Sequence, residues 1–551
     1  MKKLSDLIIE QNKYIPLVCN GNGTCGKCRV RITEEAFSLS EKVSMENSKG
    51  ISELSDCERR LLCEGEIEDG IRLACQTYVP DDFDISDVEI LSIEEDISIG
   101  DGTDISGCSV TDKSMGYCND TEADSDTARD NDSYSDNENG SEANTEYVLR
   151  SGRAGALCAA IDIGTTTIQC ALTDTKGRVL DTVSGINHQR SFGADVISRI
   201  DSAIRGNASK LKDVIVSDLN MLMTRLLRTV GDEAGISRVV ISANTTMIHL
   251  LLGFDASGLG RYPFTVADLA PANVSGGAIF TDKRLVGAKV DFMPGISAYI
   301  GGDIVSGIYY LGLDRSAKNT LLLDLGTNGE LALATGGSIM VASTSAGPAF
   351  EGGKLSNGVA SIPGAISGVR ISAGGRVKYE TIDGRTPVGI CGSGMVDTVS
   401  ELRKNALIDE NGTFTDEEMT EFKLAGKIGV SQSDIRELQM AKAAIRTGID
   451  ILLSESGLKT ADIDCVALAG GFGKNVNPVS LSNIGLIDKS LLGVTEACGN
   501  TSLLGAIKYL VRSNDNAGEY DRLRMIGECS REVVLSNHED FNEMYIKNMG
   551  I

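Results

Sequence analysis

The chain contains no tryptophan, only three histidines (His188, His249 and His538) and nine prolines among 551 residues. So few imidazoles argue against a histidine-rich metal centre. No apolar run approaches the roughly 18 residues of a membrane span. The N-terminal stretch MKKLSDLIIEQNKYIP is interrupted by Glu10, Gln11, Asn12 and Lys13, too early for a secretory h-region. A cytoplasmic location is therefore expected. Positive charge is scarce too, with 52 Lys and Arg against 78 Asp and Glu giving a net charge of -26. Phosphate backbones and anionic lipid headgroups need basic patches, so neither nucleic acid nor membrane is an expected partner. A Walker A loop and a kinase-type loop-and-lysine set are also missing, so a nucleotide would need another cradle.

Cysteine, by contrast, is plentiful. Fourteen of them in a reducing compartment point to metal ligation or buried free thiols before disulfides. The length suggests several domains. A cysteine-rich segment occupies residues 1–93. Residues 94–155 collapse into Asp, Ser, Asn, Glu and Gly, and residues 121–147 carry nine acidic groups against one arginine. Such a stretch buries too little apolar surface to offset its ordering entropy, and reads as a disordered acidic linker. Cys108 and Cys118 fall in it, as incidental thiols or as a redox or metal pair. From residue 156 to 551 short apolar runs alternate with helical segments, the pattern of an α/β domain.

The N-terminal loop CNGNGTCGKC places Cys19, Cys25 and Cys28 at C-x5-C-x2-C spacing, and Cys75 follows far downstream in Arg72-Leu-Ala-Cys-Gln. Plant-type 2Fe-2S sites have a similar C-x4-C-x2-C loop with a distant fourth cysteine. The glycines let backbone N–H groups approach the sulfurs. Gly21-x-Gly23-x-x-Gly26 also matches a dinucleotide fingerprint, but cysteines punctuating the loop oppose that reading. A structural zinc site normally takes two close cysteine pairs. Cys57 and Cys63 flank an expected helix over 56–62 and rank behind Cys75.

Two stretches echo each other. Ala159-Ala-Ile-Asp-Ile-Gly-Thr-Thr-Thr and Leu321-Leu-Leu-Asp-Leu-Gly-Thr-Asn-Gly each run from an apolar strand through Asp-(Ile/Leu)-Gly-Thr into another strand, which implies two similar lobes. In the first, Gly164 lets the turn approach a phosphate, Thr165, Thr166 and Thr167 offer hydroxyl and N–H donors, and Asp162 can reach Mg²⁺ or its waters. Asp324, Gly326, Thr327, Asn328 and Gly329 mirror this in the second. Either motif alone could be an ordinary hairpin. Together they suggest two jaws on one phosphate chain, with Asp162 and Asp324 as catalytic groups. Gly470, Gly471, Phe472 and Gly473 form a small-residue loop against which adenosine can lie. Small residues in 294–307 and 499–506 would let two helices cross closely. His249 could face the cleft or be a core histidine, and Gly392-Ser-Gly394 could touch nucleotide or only turn. An amphipathic helix is expected over 431–453, with Lys442 on it a candidate to reach the nucleotide.

The order of loops and small-residue helices resembles the superfamily of actin, heat-shock chaperones and sugar kinases. Joined to a 2Fe-2S segment, and with Gly193-Ala-Asp-Val-Ile-Ser-Arg-Ile, Ser345-Ala-Gly-Pro-Ala-Phe-Glu-Gly and Phe541-Asn-Glu-Met-Tyr-Ile-Lys-Asn-Met, the chain resembles the reductive activators of corrinoid-dependent enzymes. The resemblance implies a β-grasp ferredoxin domain (1–93), an acidic linker (94–155) and a two-lobed actin-like ATPase domain (156–551). It further implies a 2Fe-2S cluster on Cys19, Cys25, Cys28 and Cys75, with ATP and Mg²⁺ in the cleft. The partners implied are a corrinoid protein of a methyltransferase system, reduced from Co(II) to Co(I), and an external electron donor; a homodimer is left open. Some relatives carry a folded domain where this chain has its acidic stretch. A small-molecule kinase with a regulatory cluster and a nucleotide-gated scaffold are the competing readings.

Overall fold

The structure is a computed structural model that describes residues 1–11, 13–17, 21–23, 26–33, 51–81, 83–91, 157–231, 234–372, 374–473 and 476–551. The expected acidic linker with Cys108 and Cys118, and the expected ligands Cys19 and Cys25, lie outside the described residues.

The N-terminal unit is built from short strands. β1 (Lys2–Lys3) pairs antiparallel with β4 (Tyr78–Val79), while β2 (Arg29–Ile32) lies between β3 (Ile71–Leu73) and β5 (Val88–Ile90), antiparallel to both. Helix Leu4–Glu10 buries Leu4, Leu7 and Ile8 in a small core with Ile15, Val30, Leu73 and Val79. The expected helix over 56–62 spans Asp56–Leu61, and Ser55 and Glu58 form a reciprocal capping box at its start. Glu58 is itself buried and accepts from Arg72 at 2.8 Å and from the Leu73 amide at 3.0 Å. Burial raises its pKa, but these hydrogen bonds and that of Ser55 bring it below the ordinary carboxylate value. The pair fixes β3, which leads directly to Cys75.

The described residues from Leu157 onward form two lobes of the same plan. In the first, β6 (Leu157–Ile163), β7 (Thr167–Thr173) and β8 (Val179–Ile186) make an antiparallel meander, and β9 (Ile236–Ala243), β10 (Val274–Ser275) and β11 (Lys289–Phe292) complete the order β10-β11-β9-β6-β7-β8. β9 runs parallel to both β6 and β11. In the second, β12 (Thr320–Leu325), β13 (Gly329–Thr335) and β14 (Ser338–Thr344) repeat the meander; three inserted pairings, β15 (Ala365–Ile371) with β16 (Val377–Thr381) and β17 (Gly389–Ile390), and β18 (Glu421–Ala425) with β19 (Ile428–Ser431), stand apart from it. β20 (Cys465–Ala469), β21 (Thr495–Gly499) and β22 (Arg531–Glu532) complete β21-β20-β12-β13-β14-β22. The two echoed sequence stretches are thus the first hairpins of the two lobes.

Both sheets are covered on both faces, as the near-continuous apolar runs require. Alternate residues along β6 go to different cores: Leu157, Ala159 and Ile161 pack with helix Ala208–Leu226, whereas Cys158 and Ala160 join a central core shared by both lobes. Helices Gly302–Leu311 and Thr501–Asp515 run through that central core. They cross so closely that a Cβ on Gly505 would lie 2.3 Å from the Ser306 carbonyl oxygen. The amphipathic helix expected over 431–453 spans Gln432–Ser456, with the Ser431 side chain capping the Asp434 amide. Among the described residues no helix is long and apolar enough to cross a membrane.

Candidate active site

A cavity of about 620 Å³ opens between the two lobes. Its floor is made by the paired hairpins. The Gly164 amide donates to the Thr167 carbonyl at 3.0 Å and the Gly326 amide to the Asn328 carbonyl at 3.1 Å, which turns Thr165, Thr166, Thr167, Thr327 and Asn328 toward the opening. A Cβ at Gly164 would sit 2.7 Å from the Thr167 oxygen, so this tight turn needs glycine. Thr166 Oγ1 and Thr327 Oγ1 lie 3.3 Å apart, and both donate to Glu351 Oε2, at 2.9 and 2.5 Å. Behind the first loop the fully buried Arg199 donates to the carbonyls of Thr165 and Gly193. Burial, and then Arg190, push its guanidinium down to about 9.

Carboxyl groups crowd one end of the cavity. Asp162 accepts from Ser502 Oγ and Asn500 Nδ2, each at 2.7 Å; burial raises its pKa and these two bonds oppose the rise. Asp324 is pushed up to about 7, by burial first and then by Asp303, Asp162 and Glu351. Asp303 is raised by burial and by Asp162, and Glu330 by burial, Asp303 and Asp324. Burial and mutual repulsion thus disfavour simultaneous ionisation of these four carboxyls, and a cation would relieve both. Their hard oxygen donors suit Mg²⁺, which characteristically takes one or two protein carboxylates and completes its shell with phosphate oxygens and water. Beside Asp324, Gly470 has φ +84° and a Cβ there would lie 2.6 Å from Asp324 Oδ1, while Phe472 tilts against Phe350 at 4.9 Å between ring centroids.

In the N-terminal unit Cys28 and Cys75 are both buried, whereas Cys57 is partly exposed and Cys63 exposed. The two buried cysteines belong to one locality, because the Ala74 amide donates to the Cys28 carbonyl at 2.9 Å and a Cβ on Gly21 would sit 3.8 Å from Cys75 Cβ. Gln76 Nε2 bridges the Gly21 carbonyl at 3.0 Å and Cys75 Sγ at 3.5 Å. Gly21, Gly23 and Gly26 all have positive φ, the conformation expected for a loop that curls around a bound group. Among the described residues no three His, Cys, Asp or Glu side chains already form a metal cage.

Residues 157–316 match the family described as the RACo middle region, and residues 318–551 the C-terminal domain of RACo, the ASKHA domain. The corrinoid activation enzyme RamQ of Eubacterium limosum is 34% identical over 421 residues, 71% of this chain and 69% of that protein. The chain belongs to the reductive activators of corrinoid proteins. A second relative of this activator, the [Co(II) methylated amine-specific corrinoid protein] reductase of Methanosarcina barkeri, is 26% identical over 70% of the chain and 75% of its own length. A solved reductive activator for corrinoid,iron-sulfur protein superposes over 100% of the chain and 95% of its own, with TM-score 0.67 and 29% identity. The two-lobed fold is thus the ASKHA type that the actin-like resemblance implied.

The activator's cavity takes in Asp162, Gly164, Thr165, Thr166, Thr167, Asp324, Gly326, Thr327, Asn328, Gly470, Gly471 and Phe472, all singled out from sequence. Gly329 and Gly473 are not in its lining. Gly329 opens β13, paired with Thr344 and packed on Ile445, and Gly473 packs beneath Leu468. Lys442 does not extend to the cleft: it is buried, donates to the Gly550 carbonyl, and is pushed down to about 8 by burial and Arg446. His249 is a core histidine, with Nδ1 2.8 Å from the Thr245 carbonyl and Nε2 accepting from the Ala267 amide. Ser393 does line the cavity. Asp303, Glu330, Glu351, Asn500 and Ser502 were not assigned roles from sequence. Glu330 directly follows the second echoed stretch and the others sit inside stretches quoted for other reasons, so the signal was proximity to those motifs.

Proposed function

We propose that this activator couples ATP hydrolysis in the interlobe cleft to reduction of a corrinoid protein's cobalt from inactive Co(II) to Co(I), in support of corrinoid-dependent methyl transfer. The observation that carries the reading is the convergence of the two Asp-(Ile/Leu)-Gly-Thr hairpins on one acid-floored cavity, in a chain whose N-terminal unit buries Cys28 beside Cys75. Cys19, Cys25, Cys28 and Cys75 would hold a 2Fe-2S cluster, which when bound supplies a one-electron carrier between an external donor and the cobalt.

The chain's own residues then have separable tasks. Thr166, Thr327 and the amides of the two hairpins bind the phosphate chain by hydrogen-bond donation. Asp162 and Asp324 would hold Mg²⁺ or its waters, which when bound would supply charge neutralisation and orientation for the attacking water. Gly470, Gly471 and Phe472 offer a flat surface to adenosine. ATP supplies direction: if cobalt lay on the order of 100 mV below the donor, about one partner in fifty would be reduced at equal occupancy, since ~59 mV is tenfold for one electron. Closure of the lobes that favoured one state by about 2 to 3 kcal/mol would offset this.

The test mixes the purified holoprotein, Mg-ATP, a chemical reductant and candidate Co(II) corrinoid proteins while the Co(I) spectrum is followed. ATP-dependent appearance of Co(I) is expected with at least one of them. A phosphorylated metabolite in place of Co(I) would make the protein a kinase, and nucleotide-driven partner release with no electron transfer would make it a scaffold.

A further inference from the structure

Among the described residues, the N-terminal unit touches both lobes. Tyr14 packs edge-on against His188, with ring centroids 4.7 Å apart. Ser191 Oγ donates to the Ile15 carbonyl at 3.2 Å. Lys27, between the expected ligands Cys25 and Cys28, donates from Nζ to the Gly358 carbonyl. These contacts grip two segments, the His188–Ser191 turn and the loop 352–358.

Both gripped segments are tied to the phosphate hairpins. Asn187, which opens the first, donates from its amide to the Thr166 carbonyl and from Nδ2 to the Gly164 carbonyl, each at 2.9 Å. Asp218 holds the His188 ring at 2.6 Å. Glu351, which immediately precedes the second, accepts from Thr166 and Thr327, the hydroxyls that face each other across the cleft. Lys27 and Glu351 line one small cavity together with Thr166 and Arg190. A phosphoryl group entering between the hairpins needs those two hydroxyls as its own donors, and its negative charge opposes that of Glu351. A phosphoryl group that takes those two hydroxyls displaces the Glu351 carboxylate, at the residue where the loop whose carbonyl holds Lys27 begins.

We infer that the face formed by the His188–Ser191 turn and the loop 352–358 is a docking surface for the chain's own cysteine-bearing N-terminal unit, and that a nucleoside triphosphate in the cleft releases it. Linkage makes the effect reciprocal, so docking weakens triphosphate binding by the same factor. Release frees the loop bearing Cys28 from the ATPase lobes at the moment the cleft is loaded. The inference rests on the reading of the cleft as an ATP site.

Hydrogen–deuterium exchange on the full-length holoprotein tests it, read at peptides covering 13–17, 188–191 and 354–358. Without nucleotide, Lys27→Ala and Tyr14→Ala are expected to raise exchange at these peptides severalfold. In the unmodified protein a non-hydrolysable ATP analogue with Mg²⁺ should do the same, and in the variants it should add little. Calorimetry should show the analogue binding both variants about fivefold tighter. Tyr14 lies outside the cysteine loop, so Tyr14→Ala keeps the test valid if Lys27→Ala loads iron poorly. Exchange unchanged in both variants without nucleotide would remove the docking surface. An analogue that binds normally yet leaves the peptides protected would remove the coupling. An analogue that fails to bind would overturn the ATP reading, and this inference with it.

Discussion

Ser502 donates a 2.7 Å hydrogen bond to the carboxylate of Asp162 across 340 residues of sequence. Asn500 occupies the other oxygen of the same carboxylate, also at 2.7 Å, and its own Oδ1 caps helix Thr501–Asp515. A helix that follows the last large strand of the second lobe therefore orients the catalytic candidate of the first. The body of that helix packs with Cys158, Ala160 and Val240 of the first lobe's strands, so the segment leaving β21 is pinned beside Asp162.

Asp162→Asn and Asp324→Asn are each expected to lower ATP hydrolysis at least about tenfold, because on the proposed reading both remove an anionic oxygen that would organise the metal or the attacking water. The substitutions are isosteric, and Ser502 also bonds Ser242 Oγ at 2.8 Å, so its hydroxyl can turn to accept from the new amide. Phosphate release at saturating Mg-ATP is the measurement. Normal turnover in both variants would place the nucleotide elsewhere.

The crowding of carboxyls gives a pH dependence of defined sign. Asp324 titrates near 7 in the folded protein, against about 4 in an unfolded chain. Between those values the folded state binds more protons than the unfolded state, so stability falls as pH rises through the window. In EDTA without nucleotide, the thermal midpoint should drop by more than about 3 °C between pH 5.5 and 8. Asp324→Asn should flatten that dependence, and Mg-ATP should abolish most of it in the unmodified protein. A midpoint that rises over the same interval, equally in both proteins, would mean that the carboxyls are not mutually destabilising.

What the sequence disclosed was local chemistry. The two Asp-(Ile/Leu)-Gly-Thr hairpins could be read because a turn writes its requirements into neighbouring residues. Asp303, Glu330 and Glu351 could not be assigned, since nothing along the chain tells which carboxyls a fold will bring together. Gly329 and Gly473 illustrate the converse error: each continues a loop motif, yet one opens a strand and the other packs on Leu468, and only tertiary contacts separate them from Gly326 and Gly471. Lys442 was drawn toward the cleft by its place on a long helix, but the helix buries it against the Gly550 carbonyl. The antiparallel meander with flanking parallel strands was not legible at all beyond the fact of its repetition.

Helix crossing offers a test remote from the chemistry. Gly505→Ala would place its Cβ 2.3 Å from the Ser306 carbonyl oxygen, a backbone atom of the opposing helix. Alanine's better helix propensity recovers about 1 kcal/mol at most, while overpacking of this kind costs about 1–3 kcal/mol. The expected result is a lower urea midpoint together with a raised KM for ATP, because the two helices carry Asp303 and Ser502 at their cleft ends. A variant as stable as the parent, with unchanged KM, would show that the crossing has slack.

Cys75 provides the sharpest test of the N-terminal unit. It is 1% exposed, lies three residues beyond the buried Arg72–Glu58 pair, and faces the loop that contains Cys28. Cys57 and Cys63 are nearer to that loop in sequence, but both sit outside this buried locality, Cys57 on helix Asp56–Leu61 and Cys63 at the cap of Glu64–Glu68. Serine preserves the size of the side chain but replaces a soft thiolate with a hydroxyl that stays protonated at neutral pH, so a four-cysteine cluster should lose its fourth ligand. Cys75→Ser is therefore expected to retain less than about half of the iron and to lose the visible absorption of a 2Fe-2S centre. Cys57→Ser and Cys63→Ser should keep both. ATP hydrolysis measured on the same preparations distinguishes ligand loss from misfolding, because the cleft lies in the two lobes and should keep turning over when only the cluster is gone. Full iron in Cys75→Ser, or its loss in Cys63→Ser, would assign the fourth position to another cysteine.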